Sequence, residues 1–484
     1  MEFEPVIGFE VHAELATATK VFCGCKNEFG ASPNTNVCPV CLGMPGALPV
    51  LNKKAAEFSV MASMALNCEI TEHSTFDRKN YYYPDLPKNY QISEQYNIIG
   101  VNGWIDIPVN GEPHRVRINN VHLEEDAGKN VHPEGAHVDY SLVDLNRAGA
   151  PLLEIVSEPD MRTKEQALSY MNTLRNLLLY TGVSEAQMQK GQLRFELNIS
   201  VRPKGSTELG SKVELKNLNS IRTVLRCIDY EFERQTELAE RGERIAQETR
   251  LWDEAACVTR TMRSKEGSPD YRYFPDPDLV ELHLTPEWQA EIRARIPELQ
   301  HAKCERFERE YELSHYDADV LTQSKPVADY FEAAVKRCNN AKGAANWVIN
   351  DVMRVLNEGD AEDANPFDLK VTPDALGELL ELIDQEKINR SVAKKIFPEM
   401  LETSKAPSVI VKEKGLEQIS NTDTIELLVD EQLNDPANAS AIADFTSGKE
   451  KAIGRIVGQV MKASRDQANP QMVNDLIRKK LLGE

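Results

Sequence analysis

The chain has 484 residues, 41% hydrophobic and 27% charged, with 56 basic against 77 acidic side chains and a net charge of −21. That length exceeds one ordinary hydrophobic core and predicts two to four domains. The composition is that of a soluble globular protein, and no apolar run approaches the roughly 18 residues of a membrane span.

Taken in order, the chain opens without a basic n-region or an apolar h-region, so a cytoplasmic protein with no membrane partner is expected. Residues 6–15 alternate as a strand, with Phe9, Val11, Ala13 and Leu15 on one face and Glu10, His12 and Glu14 on the other. Cys23 and Cys25, then Cys38 and Cys41, form two close pairs. Four thiolates on tight turns can close around one structural Zn²⁺, and reduced thiols in a loop are the alternative. The other five of the nine cysteines stand alone and read as small core residues.

The string FDRKNYYYPDLPKNYQ from Phe76 sets Arg78, Lys79 and Lys88 among four tyrosines, Tyr81 included, and DYRYFPDPD from Asp270 partly echoes it. Tyrosine beside lysine or arginine suits phosphate neutralisation with stacking on a base; packed surface tyrosines read the same way. VHLEEDAG from Val121 gives Glu124, Glu125 and Asp126 in a row, and Glu154 lies inside the apolar run PLLEIV. A carboxylate in such a strand is costly unless a cation or strong donors meet it. Mg²⁺ is usually held by one or two carboxylates while it bridges nucleotide phosphates. The acidic residues therefore read either as a Mg²⁺–ATP site fed by separate strands or as solvent-facing positions.

Thr163 and Gln166 have the spacing of a capping box ahead of a helix that stops at Gly182. Residues 193–202 alternate again, with Arg194, Glu196 and Asn198 on the polar face, and a second long helix is expected over 220–241. The stretch GSTELGSK from Gly205 imitates a phosphate-binding loop, but it has the wrong order after its second glycine and lies between strands, so it is set aside. Beyond Leu284 strand signals fade. Helices are expected over 288–295, 328–338, 346–356, 373–385 and 391–402, then a linker at 404–408 and a helical tail broken at Asn469-Pro470. The fold class is thus α+β: a mixed-sheet domain over 1–294, an all-α domain over 295–405 and a small all-α tail over 406–484. From Ser447 onward eight basic residues face four acidic ones, among them Lys449, Lys451, Arg455, Lys462 and Arg465.

Several of these strings, with GFEVHAEL from Gly8, DLNRAGAPLLEIVSEPD from Asp144, ELKNLNS from Glu214 and VGQVMKAS from Val457, resemble the B subunit family of aspartyl/glutamyl-tRNA(Asn/Gln) amidotransferases along essentially the whole chain. The resemblance implies an ATP-dependent carbon–nitrogen ligase that uses glutamine as nitrogen donor. ATP phosphorylates the carboxylate of Glu or Asp on misacylated tRNA(Gln) or tRNA(Asn), and ammonia displaces phosphate. It implies a heterotrimer, in which an amidase A subunit releases the ammonia and a small C subunit straps the two together. By the same resemblance Glu10, His12 and Glu125 match Mg²⁺ positions, and Glu124 and Glu154 are further acidic contacts to Mg²⁺–ATP. Arg78, Lys79, Tyr81 and Lys88 border the reaction site, the four cysteines match a zinc centre, and the basic tail grips tRNA. Phe195 and Glu196 stand where the family usually has a small residue and Asp, and Asp466 where it has Gly. Two other functions stay open: a zinc-stabilised tRNA-binding scaffold without catalysis, and a free-standing ligase, for which a basic tail has no use.

Overall fold

The computed structural model describes residues 2–131, 140–264, 270–358, 365–418, 422–464 and 467–482. Two compact units divide the chain, Met1–Leu299 and Gln300–Glu484.

The first unit is built on one large mixed sheet. Its strands are β1 (Phe3–Glu14), β2 (Asp77–Asn80), β3 (Tyr90–Ser93), β4 (Gly100–Val109), β5 (Glu112–Glu125), β6 (Pro151–Ser157), β7 (Leu193–Pro203), β8 (Val213–Lys216), β9 (Glu248–Asp253), β10 (Val258–Ser264) and β11 (Phe274–Pro275), with the two-residue strand Glu69–Ile70 paired to β4. The order across the sheet is β10-β9-β8-β7-β1-β6-β5-β3-β2-β11, with β4 paired to β5. Only the β8–β9 contact among these is parallel.

Strand alternation decides where the core lies. Ile7, Phe9, Val11 and Ala13 of β1, Leu153 and Ile155 of β6, and Phe195, Leu197 and Ile199 of β7 are all buried on one side. Three helices cover that side: α1 (Lys53–Ala65), α2 (Lys164–Thr181) and α3 (Ile221–Glu240). Tyr170 of α2 stacks on Phe9 at 5.6 Å, and Phe195 meets Phe9 edge-on at 5.9 Å. The ends of α2 follow from the expected residues: Thr163 Oγ1 accepts from Gln166 N at 3.2 Å, and Gly182 closes the helix in the left-handed region. Ser220 caps α3 in the same way. Because these helices lie on the apolar side, the polar side of β1, β5, β6 and β7 is left for chemistry.

The second unit is helical, with two separate apolar cores. One gathers Phe307, Phe331, Trp347, Leu380 and Phe397, and the other Ile425, Phe445, Ile456, Val460 and Ile477. Helices Lys325–Cys338, Pro373–Asp384 and Arg390–Thr403 lie within a few residues of expectation. The expected helix over 346–356 is interrupted by a π turn at Val348–Val352. The expected linker is shorter than read: Ser404 ends one helix with positive φ, and Pro407 already starts the next, Pro407–Lys414, since its fixed φ suits a first helical position.

Candidate active site

Register brings the polar residues together. In the antiparallel pairing of β1 with β6, His12 lies opposite Glu154; in that of β6 with β5, Glu154 lies opposite His122 and Leu152 opposite Glu124. His12, Glu154 and His122 thus form a row across three neighbouring strands. His12 Nε2 is 3.3 Å from Glu154 Oε2 and 3.7 Å from Glu124 Oε1, and His122 Nε2 is 3.4 Å from the same Glu154 oxygen. Burial works against a charged His12, but the hydrogen bond and charge of Glu154, with Glu124 and Glu196 behind, raise its pKa to about 9. Glu154 is held well below the carboxylate range against its burial by the two histidines. Glu124 moves the other way, raised by burial and by the neighbouring Glu154.

Lys79 of β2 reaches this face, its Nζ lying 5.1 Å from the Tyr271 ring centroid and 5.9 Å from that of Tyr81. Burial disfavours the ammonium, yet Glu124 and Glu154 outweigh it and keep Lys79 charged. Tyr81 donates to Gln91 Oε1 at 3.2 Å. The partial echo in sequence becomes contact in space: Phe274 pairs with Arg78, and Tyr271 O accepts from Asn80 N at 2.9 Å.

Adjacent strand residues point to opposite faces, which splits the expected residues into two groups. Glu125 does not join Glu10 and His12. It pairs with Lys88 and accepts from Ile92 N at 2.9 Å. Arg78 also faces away from Lys79, donating to Asp276 and Asp278 at 2.8 Å each and lying 4.3 Å from the Tyr90 ring centroid. Glu10 sits opposite Glu196 and accepts from Asn198 Nδ2 at 3.0 Å. Glu10, Glu196 and Glu214 converge, with the Lys216 ammonium 2.6 Å from Glu196 and 3.1 Å from Glu214.

The four cysteine sulfurs all lie within 4.8 Å of one another, with Cys38 and Cys41 Sγ 3.9 Å apart, and none is in a disulfide. Thiolates bound to one zinc at 2.3 Å are about 3.8 Å apart, so this donor set fits zinc. Lys20, fully buried, sets its Nζ 3.7 Å from Cys41 Sγ and 2.7 Å from Asn36 O. The loop also touches the Lys88–Glu125 pair, since a Cβ added at Gly43 would lie 2.5 Å from Lys88 Cγ.

On the polar side of the sheet His12, Glu124 and Glu154 each bring a ligand atom within 4.8 Å of the other two, as a divalent ion would need. His12 Nδ1 and Glu124 Oε2 of this group are buried without a hydrogen-bond partner, as is Asn198 Oδ1 beside Glu10. One imidazole and two carboxylates with an unused oxygen match a hard dication that keeps part of its water. In the tail, Lys449, Lys451, Arg455 and Lys462 are exposed, Lys449 Nζ lying 2.9 Å from Asp444. Arg465 lies outside the described residues.

Sequence reasoning placed Asn198 on a polar strand face without giving it a role, and missed His122 and Lys216 as members of this face. The signal was present: His122 and Glu124 are two apart, as are Arg194, Glu196 and Asn198, whereas Glu124 and Glu125 cannot share a strand face.

An open α+β sheet whose uncovered face concentrates carboxylates, histidines and lysine is the frame of a catalytic domain, and residues 5–290 match the GatB/GatE catalytic domain family while residues 329–481 match the GatB domain family. The chain belongs to the GatB family. It is 51% identical over 481 residues to the B subunit of the aspartyl/glutamyl-tRNA(Asn/Gln) amidotransferase of Caldicellulosiruptor saccharolyticus, covering 99% of each chain. It is equally similar to its counterpart in Carboxydothermus hydrogenoformans (51%, 99% of each) and 52% identical to that of Persephonella marina, with 99% of this chain and 100% of the relative covered.

Proposed function

We propose that this chain is the phosphorylating and tRNA-binding subunit of a glutamine-dependent amidotransferase acting on Glu-tRNA(Gln), Asp-tRNA(Asn) or both. Its partners are an amidase A subunit and a small C subunit, and it works in the cytoplasm. No helix among the described residues is long and apolar enough to cross a membrane. The observation that carries the reading is the cluster of His12, Glu124 and Glu154 next to the charged Lys79, with His12 Nδ1 and Glu124 Oε2 buried and unpartnered.

His12, Glu124 and Glu154 would hold Mg²⁺, which would supply charge neutralisation for the phosphates of ATP while the γ-phosphoryl group passes to the substrate carboxylate and ADP leaves. Such transfer asks the protein for positioning and charge neutralisation more than for covalent help. Lys79 supplies a fixed positive charge to the equatorial oxygens, and Tyr81 and Tyr271 restrict where its ammonium can go. Lys216 and Asn198 hold Glu196 and Glu10 in place. Ammonia then attacks the acyl carbon, phosphate leaves, and a proton passes to water or buffer. The cysteine loop, which zinc would close, packs through Gly43 on Lys88 and so supports the Lys88–Glu125 pair. The exposed helix face with Arg455 and Lys462, between which Gly458 carries no side chain, suits approach to a tRNA backbone.

The test uses the purified heterotrimer with Glu-tRNA(Gln), Mg²⁺ and γ-labelled ATP, following phosphate release. Lys79→Ala and Glu154→Gln should each lower charged-tRNA-dependent ATP cleavage by about 10²-fold or more while tRNA binding persists. Full ATP cleavage in both variants would remove the site assignment, and tRNA binding with no ATP cleavage in the wild type would make the chain a scaffold.

A further inference from the structure

A second constellation of metal-ligating side chains lies in the same unit, away from the residues used above. His283 and His73 sit directly opposite each other where the short strand Leu282–His283 pairs antiparallel with His73–Ser74. Their rings are 4.6 Å apart between centroids and nearly perpendicular, at 79°. Glu281, two residues before His283 and so on the same strand face, places Oε1 2.9 Å from His73 Nδ1 and Oε2 3.9 Å from His283 Nε2. One donor atom from each of the three lies within 4.8 Å of the other two, and all three side chains are about half exposed. Donors around a tetrahedral zinc are about 3.3 Å apart, a spacing that exposed side chains reach by small torsional adjustment.

The place of this trio in the chain gives it a consequence. Within residues 270–284, Phe274–Pro275 pairs with the edge of the large sheet, where Arg78 holds Asp276 and Asp278 and Asn80 N donates to Tyr271 O, whereas Leu282–His283 pairs only with His73–Ser74 in a separate two-stranded ribbon, with Leu284 N donating to Glu72 O at 2.8 Å. That segment carries Tyr271, which bounds the Lys79 ammonium. An ion shared between His73 on one strand and His283 on the other, with Glu281 just before it, would reinforce this two-residue pairing by coordinate bonds.

We propose that His73, Glu281 and His283 form a binding site for a transition-metal dication of the zinc class, and that the ion acts as a clasp on segment 270–284. Two imidazoles and one carboxylate are the ligands such ions take in preference to Mg²⁺ or Ca²⁺. The fourth position is open to water.

The test uses full-length protein with the zinc of its cysteine loop retained, titrated with Zn²⁺ or Co²⁺ by calorimetry and followed by amide hydrogen exchange. With excess Mg²⁺ present to occupy the site at His12, Glu124 and Glu154, wild type should bind one equivalent more than the loop holds. His73→Asn, His283→Asn and Glu281→Gln should each weaken that equivalent at least tenfold, leaving the melting temperature without added metal and the loop zinc unchanged. Metal should slow exchange within 270–284 at least tenfold in wild type only. The same stoichiometry and affinity in wild type and all three variants would overturn the site and leave an ordinary surface ion pair. Variant-sensitive binding without slowed exchange would overturn the clasp.

Discussion

Glu94 is 1% exposed, and its carboxyl accepts from Ser74 Oγ at 2.8 Å, Leu123 N at 3.0 Å and Ile99 N at 3.3 Å. Burial raises its pKa from 4.5 to about 7, and the three hydrogen bonds offset only part of that rise. The folded chain therefore holds this proton more tightly than the unfolded chain. Stability present below pH 4.5 is lost as pH rises towards 7. Glu94→Gln removes the titration and keeps every bond: its carbonyl accepts from the two amides, and its amide donates to Ser74 Oγ. The variant should be more stable than wild type at pH 8, by on the order of 1–3 kcal/mol, and should match it near pH 4.5. Urea unfolding at the two pH values checks this, and an equal difference at both would refute it. His12 shows why such reasoning needs geometry. Its place on a polar strand face was legible from alternation, but its charge depends on Glu154 and Glu124, which reach it only through strand pairing.

At the scale of elements, β1 and β7 were readable because one face of each is apolar and a period of two is unmistakable. The helix α1 was not, since Ala, Ser and Met are buried almost all round it and leave no stripe to detect. The order of strands was also illegible: β1 lies between β6 and β7, partners more than a hundred residues away. This is why the acidic residues could be named from sequence while the grouping of Glu125 with Lys88 could not. The unusual pair Phe195 and Glu196 resolves by the same alternation. Phe195 faces Phe9 in the core and Glu196 faces Lys216 on the open side. Phe195→Ala should cost about 3–5 kcal/mol in chemical unfolding, and a loss below about 1 kcal/mol would mean that the cavity collapses. The cysteine loop makes a different prediction. Removing the zinc proposed for this loop would free four thiols close to Lys20 and loosen the contact of Gly43 with Lys88. A chelator should then expose residues 23–50 to protease and lower charged-tRNA-dependent ATP cleavage, and readdition of zinc should restore both.

Across the whole molecule, apolar contacts and sheet pairing of the first unit close on themselves. Its core runs from Ile7 to Ile292, and every strand of the large sheet pairs inside it. Among the described residues those contacts lie within the unit, so a fragment of residues 1–299 should melt cooperatively by itself and retain zinc added to its cysteine loop. The exposed lysines and arginines proposed to grip tRNA lie in the other unit, in a chain whose net charge of −21 otherwise repels nucleic acid. Affinity for tRNA should therefore fall at least tenfold in the fragment. In the full chain, changing Lys449, Lys451, Arg455 and Lys462 together to Gln should flatten the fall of log K with log salt. Each lost phosphate contact removes about 0.7–0.9 from the slope, so four contacts make a difference that filter binding at several salt concentrations resolves. A fragment that binds tRNA as tightly as the full chain, or a quadruple variant with an unchanged slope, would place the grip on the first unit, whose exposed Tyr82 and Tyr83 would then be the residues to change next.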